Sequence, residues 1–297
     1  FDAVEQDVRL CGVRYTAHSV KHGVRAVLEV VAPFYPHDVL ISTAPLFYFT
    51  LSIQSQSRLF WTSCPNPIQR GKLVVRVKRE GLNTAPVGNM LAIDYTLSRV
   101  LADSGELVPA GDFLAGETPP HVQERIVPLV DGVSVEDGGI SLPFDLTTGE
   151  GATLRFAWCA YVSDPVLNVF GKPMRLLYAR HFASIDEVVG FAKEREHENL
   201  RKTALVESLL DEASLSKSQL DLIRFSFQNF LLNSWWTVAD DGEDWFSVWE
   251  GSCHYHSTVD VEYNNGLVYF AFWLPLLGKL LDEWARFEMH DEVGSYL

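Results

Sequence analysis

Cysteine is scarce in this chain, and its four copies, Cys11, Cys64, Cys159 and Cys253, include no pair at C-x-x-C spacing. That excludes a disulfide framework and a zinc ribbon and leaves reduced core thiols as the expectation. Long apolar runs are missing too. The most apolar stretch, 267–281, contains Pro275 and Lys279 and falls short of the ~20 residues that a membrane-spanning helix needs, so no membrane span is expected. Cations are outnumbered, with 24 lysines and arginines against 39 aspartates and glutamates and a net charge of −15. A surface that negative repels phosphate backbones and anionic headgroups, which disfavours nucleic-acid and membrane-surface partners. No glycine loop of the Walker or dinucleotide type occurs, so ATP and NAD are not implied and no cofactor is expected. The first residue is Phe1 rather than methionine; the true start is expected upstream, so the lack of a signal peptide counts for no compartment. Localisation stays open, with the cytoplasm favoured, and the oligomeric state is not legible.

What is present is enough apolar material for a substantial core. Apolar residues make up 47% of the 297 and charged residues 21%, the balance of a globular protein with one large or two ordinary domains. Up to about residue 180 the pattern alternates in short runs, such as 73–78 and 154–162. Alternation with period two sets one row of side chains on a buried face, and several such runs imply a β-sandwich. Residues 43–49 and 126–130 read as further strands, the second as an edge because Pro128 cannot donate to a ladder. Turn signals fall at 103–106, 136–139 and 147–151.

Near Ser184 the period changes. Ser184, followed by Glu187, forms a capping box and opens a long polar stretch to about Glu212 that contains no proline. A second box, Ser216 with Gln219, opens another helix on which Leu220, Ile223, Phe227, Phe230 and Leu231 make one apolar stripe. A third helical stretch, 267–287, must kink or split at Pro275, which removes a backbone donor.

Residues 234–262 carry seven carboxylates, Asp240, Asp241, Glu243, Asp244, Glu250, Asp260 and Glu262, and no lysine or arginine. Such repulsion has to be relieved by solvent, by a bound group or by proton sharing. Six of the eight tryptophans, among them Trp245 and Trp249, lie in or just beyond this window. Flat aromatic faces beside acids suit a sugar, the rings covering its C–H face and the acids binding hydroxyls or attacking the anomeric carbon. The plainer alternative is that these tryptophans are core and that 240–244 is a solvated turn. Glu250 differs, ending an apolar approach just before Gly251. His254 and His256 share a face if extended. They suit hydroxyl binding in a sugar cleft better than a metal, because no further histidine or cysteine falls at ligand spacing nearby. Cys253 reads as a buried thiol rather than a nucleophile.

Several of these motifs occur together in known enzymes. The segment from Phe182 through Trp235-Trp236 and Trp249-Glu250-Gly251 to Thr258-Val259-Asp260-Val261 and Asn264-Asn265-Gly266 resembles the start of the catalytic domain in glycoside hydrolase family 116. That family holds bacterial β-glucosidases and non-lysosomal glucosylceramidases, and the segment is also similar to the related family 52 β-xylosidases. Ala32 to Asp38 with Ser42 to Pro45, and Leu154 to Trp158, are similar to that family's N-terminal β domain. The resemblance implies an α+β multidomain fold, a β-sandwich over 1–182 and then, over 183–297, a linker helix and the first helices of an (α/α)6 barrel. It implies a retaining β-glycosidase acting on a small carbohydrate or glycoside, with Glu250 as nucleophile and Asp260 binding sugar hydroxyls. Trp245, Trp249, His254 and His256 would complete the sugar site, without a metal.

Twelve helices need on the order of 200 residues or more, and about 115 follow Phe182. The expectation is therefore an N-terminal part that lacks the acid/base, is inactive alone and exposes apolar surface along 267–281. The competing expectation is a non-catalytic carbohydrate-binding or scaffolding protein.

Overall fold

The computed structural model describes residues 1–55, 68–78, 82–97, 99–101, 107–109, 119–136, 138–147, 151–250, 255–287, 289–290 and 295–296. Cys64, Cys253, His254 and the expected turn at 103–106 lie outside them. The chain begins with strands β1 (Ala3–Arg9), β2 (Gly12–Ser19) and β3 (Val24–Val31), the short helix α1 (Val39–Thr43) and strand β4 (Leu46–Ser55). Strands β5 (Arg70–Arg76), β6 (Asn83–Val87), β7 (Met90–Thr96), β8 (Arg99–Leu101) and β9 (Leu107–Pro109) follow. After them come β10 (His121–Pro128), β11 (Ser134–Glu136), β12 (Gly139–Asp145) and β13 (Ala152–Val162).

Eight of these strands make one antiparallel sheet in the order β1-β2-β3-β4-β13-β10-β7-β6, and β11-β12-β5 make a second. Alternation does the layering. On β13, Leu154 and Phe156 pack with Leu73 of β5 and Ile140 of β12, so the small sheet covers one face of the large one. The intervening Ala157, Cys159 and Tyr161 point the other way, into a cluster with Ile185, Val188 and Ala192. Those three belong to helix α2 (Ile185–Asp211), whose N-cap Ser184 accepts from the Glu187 amide, as the capping box predicts.

Two strand expectations need correction. Residues 43–49 do not run as one strand, because Asp38 caps α1 by accepting from the Ile41 amide, and the strand begins only at Leu46. Strand β10 is interior, between β13 and β7. Its proline is tolerated because β7 pairing stops at Ile126, and Leu129 already donates to Arg155 on the β13 side. The ring nitrogen of Pro128 thus faces a side on which no ladder continues.

Past β13 come the hairpin β14 (Leu167–Val169) and β15 (Lys172–Leu176), then α2, then helix α3 (Lys217–Asn233) with a complete Ser216/Gln219 capping box. The helical expectation fails next. Residues 234–248 form a hairpin, β16 (Ser234–Val238) and β17 (Asp244–Val248), which extends β14-β15 into a four-stranded sheet. Trp235 and Trp236 therefore sit on a strand. Helices α4 (Val259–Phe272) and α5 (Leu274–Trp284) complete the array, split at Trp273 with Pro275 in the first turn of α5, where a missing amide costs little.

The predicted α3 stripe packs with Tyr269, Leu276 and Leu280 and with Phe34. Hydrogen bonds tie this array to the sheet: Glu207 of α2 accepts from the Leu10 and Cys11 amides at 3.0 and 2.7 Å, and Gln228 of α3 donates to the Arg9 and Gly12 carbonyls. The outer side of α4 is bare and apolar, with Tyr263 85% and Leu267 80% exposed and Phe270 and Leu274 beside them, as anticipated for 267–281.

Candidate functional site

The acidic window resolves into two environments. At the β16–β17 turn, Gly242 takes a φ of 86°, and every acid of the turn meets a cation from outside the window. Lys172 donates to Asp241 and Glu243, both at 2.6 Å; Arg175 pairs with Asp240, and Arg286 with Glu243. The Lys172 ammonium holds the carboxyls of Asp241 and Glu243 below their ordinary range. Burial would raise Asp244, but the Trp236 indole N–H and Lys279 outweigh it and keep it low. These acids are structural, and their repulsion is relieved by residues distant in sequence.

The second environment begins where β17 ends. The Val248 amide donates to Ser257 Oγ at 3.1 Å, the Ser257 amide donates back to the Val248 carbonyl at 2.8 Å, and the Glu250 amide donates to the Tyr255 carbonyl at 3.1 Å. Trp249 and His256 face each other across this ladder and their rings stack, with centroids 5.9 Å apart and planes 10° apart. Trp235 meets both edge-on, at 6.0 and 6.3 Å. Glu250 is half-buried at the end of this arm. His256 Nδ1 lies 2.9 Å from Ser247 Oγ, and burial lowers the ring's pKa, keeping it neutral.

Two buried carboxylates brace the neighbourhood. Glu262 of α4, 4% exposed, accepts from Ser257 Oγ at 2.6 Å and from the Tyr269 hydroxyl. Glu283 of α5, also 4% exposed, accepts from the Phe246 amide at 3.0 Å through Oε1, which also pairs with Lys279. Its Oε2 is buried without a hydrogen-bond partner among the described residues. Burial pushes both carboxyls up, the bonds they accept only partly offsetting it.

Beside these groups lies a cavity of about 610 Å³, walled by Phe170, Trp245, Leu280 and Trp284 and reached by Ser247, His256, Thr258 and Glu283. A larger cavity, about 840 Å³, lies between the large sheet and α3. Its acid, Glu124, already accepts from Tyr95 and Trp158, and Gln228 is committed to the β1–β2 turn. Among the described residues no three potential metal ligands cluster. The thiols of Cys11 and Cys159 are buried; burial raises both, Cys159 to about 12, which makes them inert.

Of the sequence-predicted site residues, Trp245 and His256 line the smaller cavity. Trp249 stacks on His256 outside its lining, Glu250 lines neither cavity, and Asp260 stands exposed in the first turn of α4. His254 is outside the described residues. Sequence reasoning passed over Thr258 and Glu283 as site residues. The last had a signal: Leu276, Leu280 and Glu283 share the buried face of an amphipathic helix, where a carboxylate is out of place.

Comparison with known proteins adds the chemistry. The model of glycosyl hydrolase family 52 matches residues 135–273. A β-xylosidase from Geobacillus stearothermophilus is 28% identical over 123 residues, 41% of this chain and 19% of that enzyme. The chain thus spans about a fifth of the length of the curated relative it matches. Among solved structures, a human-microbiome protein provisionally assigned as a kojibiose phosphorylase covers 75% of this chain and 23% of its own, with 10% identity and a TM-score of 0.29, too slight a likeness to carry an argument. The chain is related to the glycosyl hydrolases, and of the two families resembled, the match falls to family 52.

Proposed function

We propose that this chain belongs to a retaining β-glycosidase, acting on β-xylosides in preference to β-glucosides, with Glu250 as nucleophile. The observation that carries the reading is the Glu250 arm itself, which lies within the stretch matching family 52 and is flanked by Trp235, Trp249 and His256. On this reading an indole of the trio covers the C–H face of a pyranose and Asp260 and His254 bind hydroxyls. The Glu250 carboxylate attacks the anomeric carbon to give a glycosyl-enzyme. A second, protonated carboxyl, ~5–5.5 Å from the nucleophile, donates to the leaving oxygen and then deprotonates the water that releases the sugar.

The relative's greater length supports placing that acid/base outside these residues. The bare apolar side of α4 supports further helices of an (α/α)6 barrel packing there. Residues 1–182 would then be the sandwich domain and 183–297 the linker helix and opening helices. A second reading, a non-catalytic carbohydrate-binding protein, is favoured by one observation: Glu250 lines neither cavity.

The test is hydrolysis of 4-nitrophenyl β-xyloside and β-glucoside by the whole protein that carries this chain. Glu250→Gln should lower kcat by more than about a thousandfold while xylose binding, followed by tryptophan fluorescence, persists. Undiminished turnover removes Glu250 from the chemistry. Xylose binding without turnover in the parent protein favours the second reading, and faster cleavage of the glucoside overturns the preference for xylosides.

A further inference from the structure

The smaller cavity has features that the Glu250 arm does not explain. Both non-glycine residues with positive φ among the described residues, Phe170 and Ser257, each at 50°, line it. Phe170 takes the first central position of the β14–β15 turn, where Gly171 follows at 81°. A two-residue turn with both φ values positive prefers asparagine or glycine at that position. The aromatic ring is kept there nonetheless, edge-on to Trp245 with the Arg286 guanidinium 4.4 Å from its centroid.

Two polar atoms complete the case. Glu283 Oε2 and Thr258 Oγ1 are both buried without a hydrogen-bond partner among the described residues, and both residues line this cavity. Thr258 is the N-cap of α4, yet its hydroxyl makes no capping bond. Buried acceptors and hydroxyls are rarely left so, because each has given up its hydration with no bond in return. Ser247 Oγ is committed to Nδ1 of His256 and Ser257 Oγ to Glu262, and Asn168 is the other polar side chain bordering the cavity. A pyranose, with hydroxyls around its whole rim, would strand several of them against Phe170, Trp245, Leu280 and Trp284. A flat apolar ring with one hydroxyl would bury its faces on those walls and strand none.

We propose that this cavity binds an uncharged aryl alcohol, whose hydroxyl is held by Glu283 and Thr258. The binding claim stands on the cavity alone. Its role as the pocket for the leaving group of an aryl glycoside rests on the glycosidase reading, and His256 joins the two places, stacking on Trp249 and lining the cavity.

The test is calorimetric titration of the whole protein that carries this chain with 4-ethylphenol, its methyl ether 4-ethylanisole, and xylose. The phenol should bind at least about tenfold more tightly than the ether, equivalent to ~1.4 kcal/mol. Glu283→Gln should reduce phenol binding. Because it also touches the Phe246 amide and Lys279, Thr258→Val is the cleaner variant: no cap bond is lost, so the melting temperature should hold while phenol affinity falls and ether affinity does not. Equal affinity for phenol and ether, indifference to both variants, displacement of the phenol by xylose, or no binding at all would each overturn the proposal. Phenol binding by a parent protein that cleaves neither the xyloside nor the glucoside would sink the glycosidase reading and leave this site standing.

Discussion

The turn at 240–244 and the facing acids of α4 and α5 are two collections of carboxylate treated in opposite ways. In the turn the acids are exposed or half-buried and each meets a cation, and the carboxyls of Asp241, Glu243 and Asp244 are held below their ordinary range. In the helices Glu262 and Glu283 are shut from water and their protons are held tightly. Density of charge along the sequence is therefore a poor guide to where chemistry lies. What matters is whether the fold supplies a counter-charge, and for the turn it does so from Lys172, Arg175, Lys279 and Arg286.

Three experiments press on that contrast. The largest effect is expected from Glu262→Ala, which strands the Ser257 and Tyr269 hydroxyls in the interior and should lower the unfolding free energy by about 3 kcal/mol in urea titrations. A loss too small to resolve would mean that the bonds around Glu262 are slack.

The second experiment uses pH. Glu283 is raised above the ordinary value of 4.5, so its contribution to stability is complete below that pH and is lost as pH rises through the folded value. Turn acids held below their ordinary values contribute above those values and lose it on acidification. The stability lead of the parent over Glu283→Gln should accordingly shrink as pH rises above 4.5. A lead that grows would show the Lys279 ion pair outweighing burial. The smallest effect belongs to Asp241→Asn, whose pair with Lys172 is half-exposed on both sides. No measurable change in the denaturant midpoint is expected there, and a clear drop would make the turn a keystone rather than a solvated link.

Much of the framework was legible in the residues. Alternation at 154–162, the two Ser-headed capping boxes and the break at Pro275 are local signals, and each has its counterpart in the fold. The hairpin at 234–248 was not, because five-residue strands rich in tryptophan and phenylalanine are too short to separate from a helix by period. The strand expected over 43–49 was misplaced at its start for a related reason: the helix that occupies its first residue is announced only by a single capping bond to Asp38. At the site, aromatic clustering brought Trp245 and His256 to the cavity. Asp260 carried no such outcome, since one turn of helix leaves it outside. Glu283 and Thr258 matter only through what surrounds them in three dimensions, which no spacing rule encodes.

The position of β13 has a consequence for how the chain comes to be folded at all. It zips to β4 on one side and β10 on the other, and its outer row seats α2. As the polypeptide leaves the ribosome, β4 and β10 must wait with open edges until residue 162 has emerged, and the layer behind them waits for α2. Closure is thus governed by a late, long-range event, slow by nature and vulnerable to edge-to-edge association. A nascent-chain binder such as a chaperone would be expected to hold this protein longest over that interval.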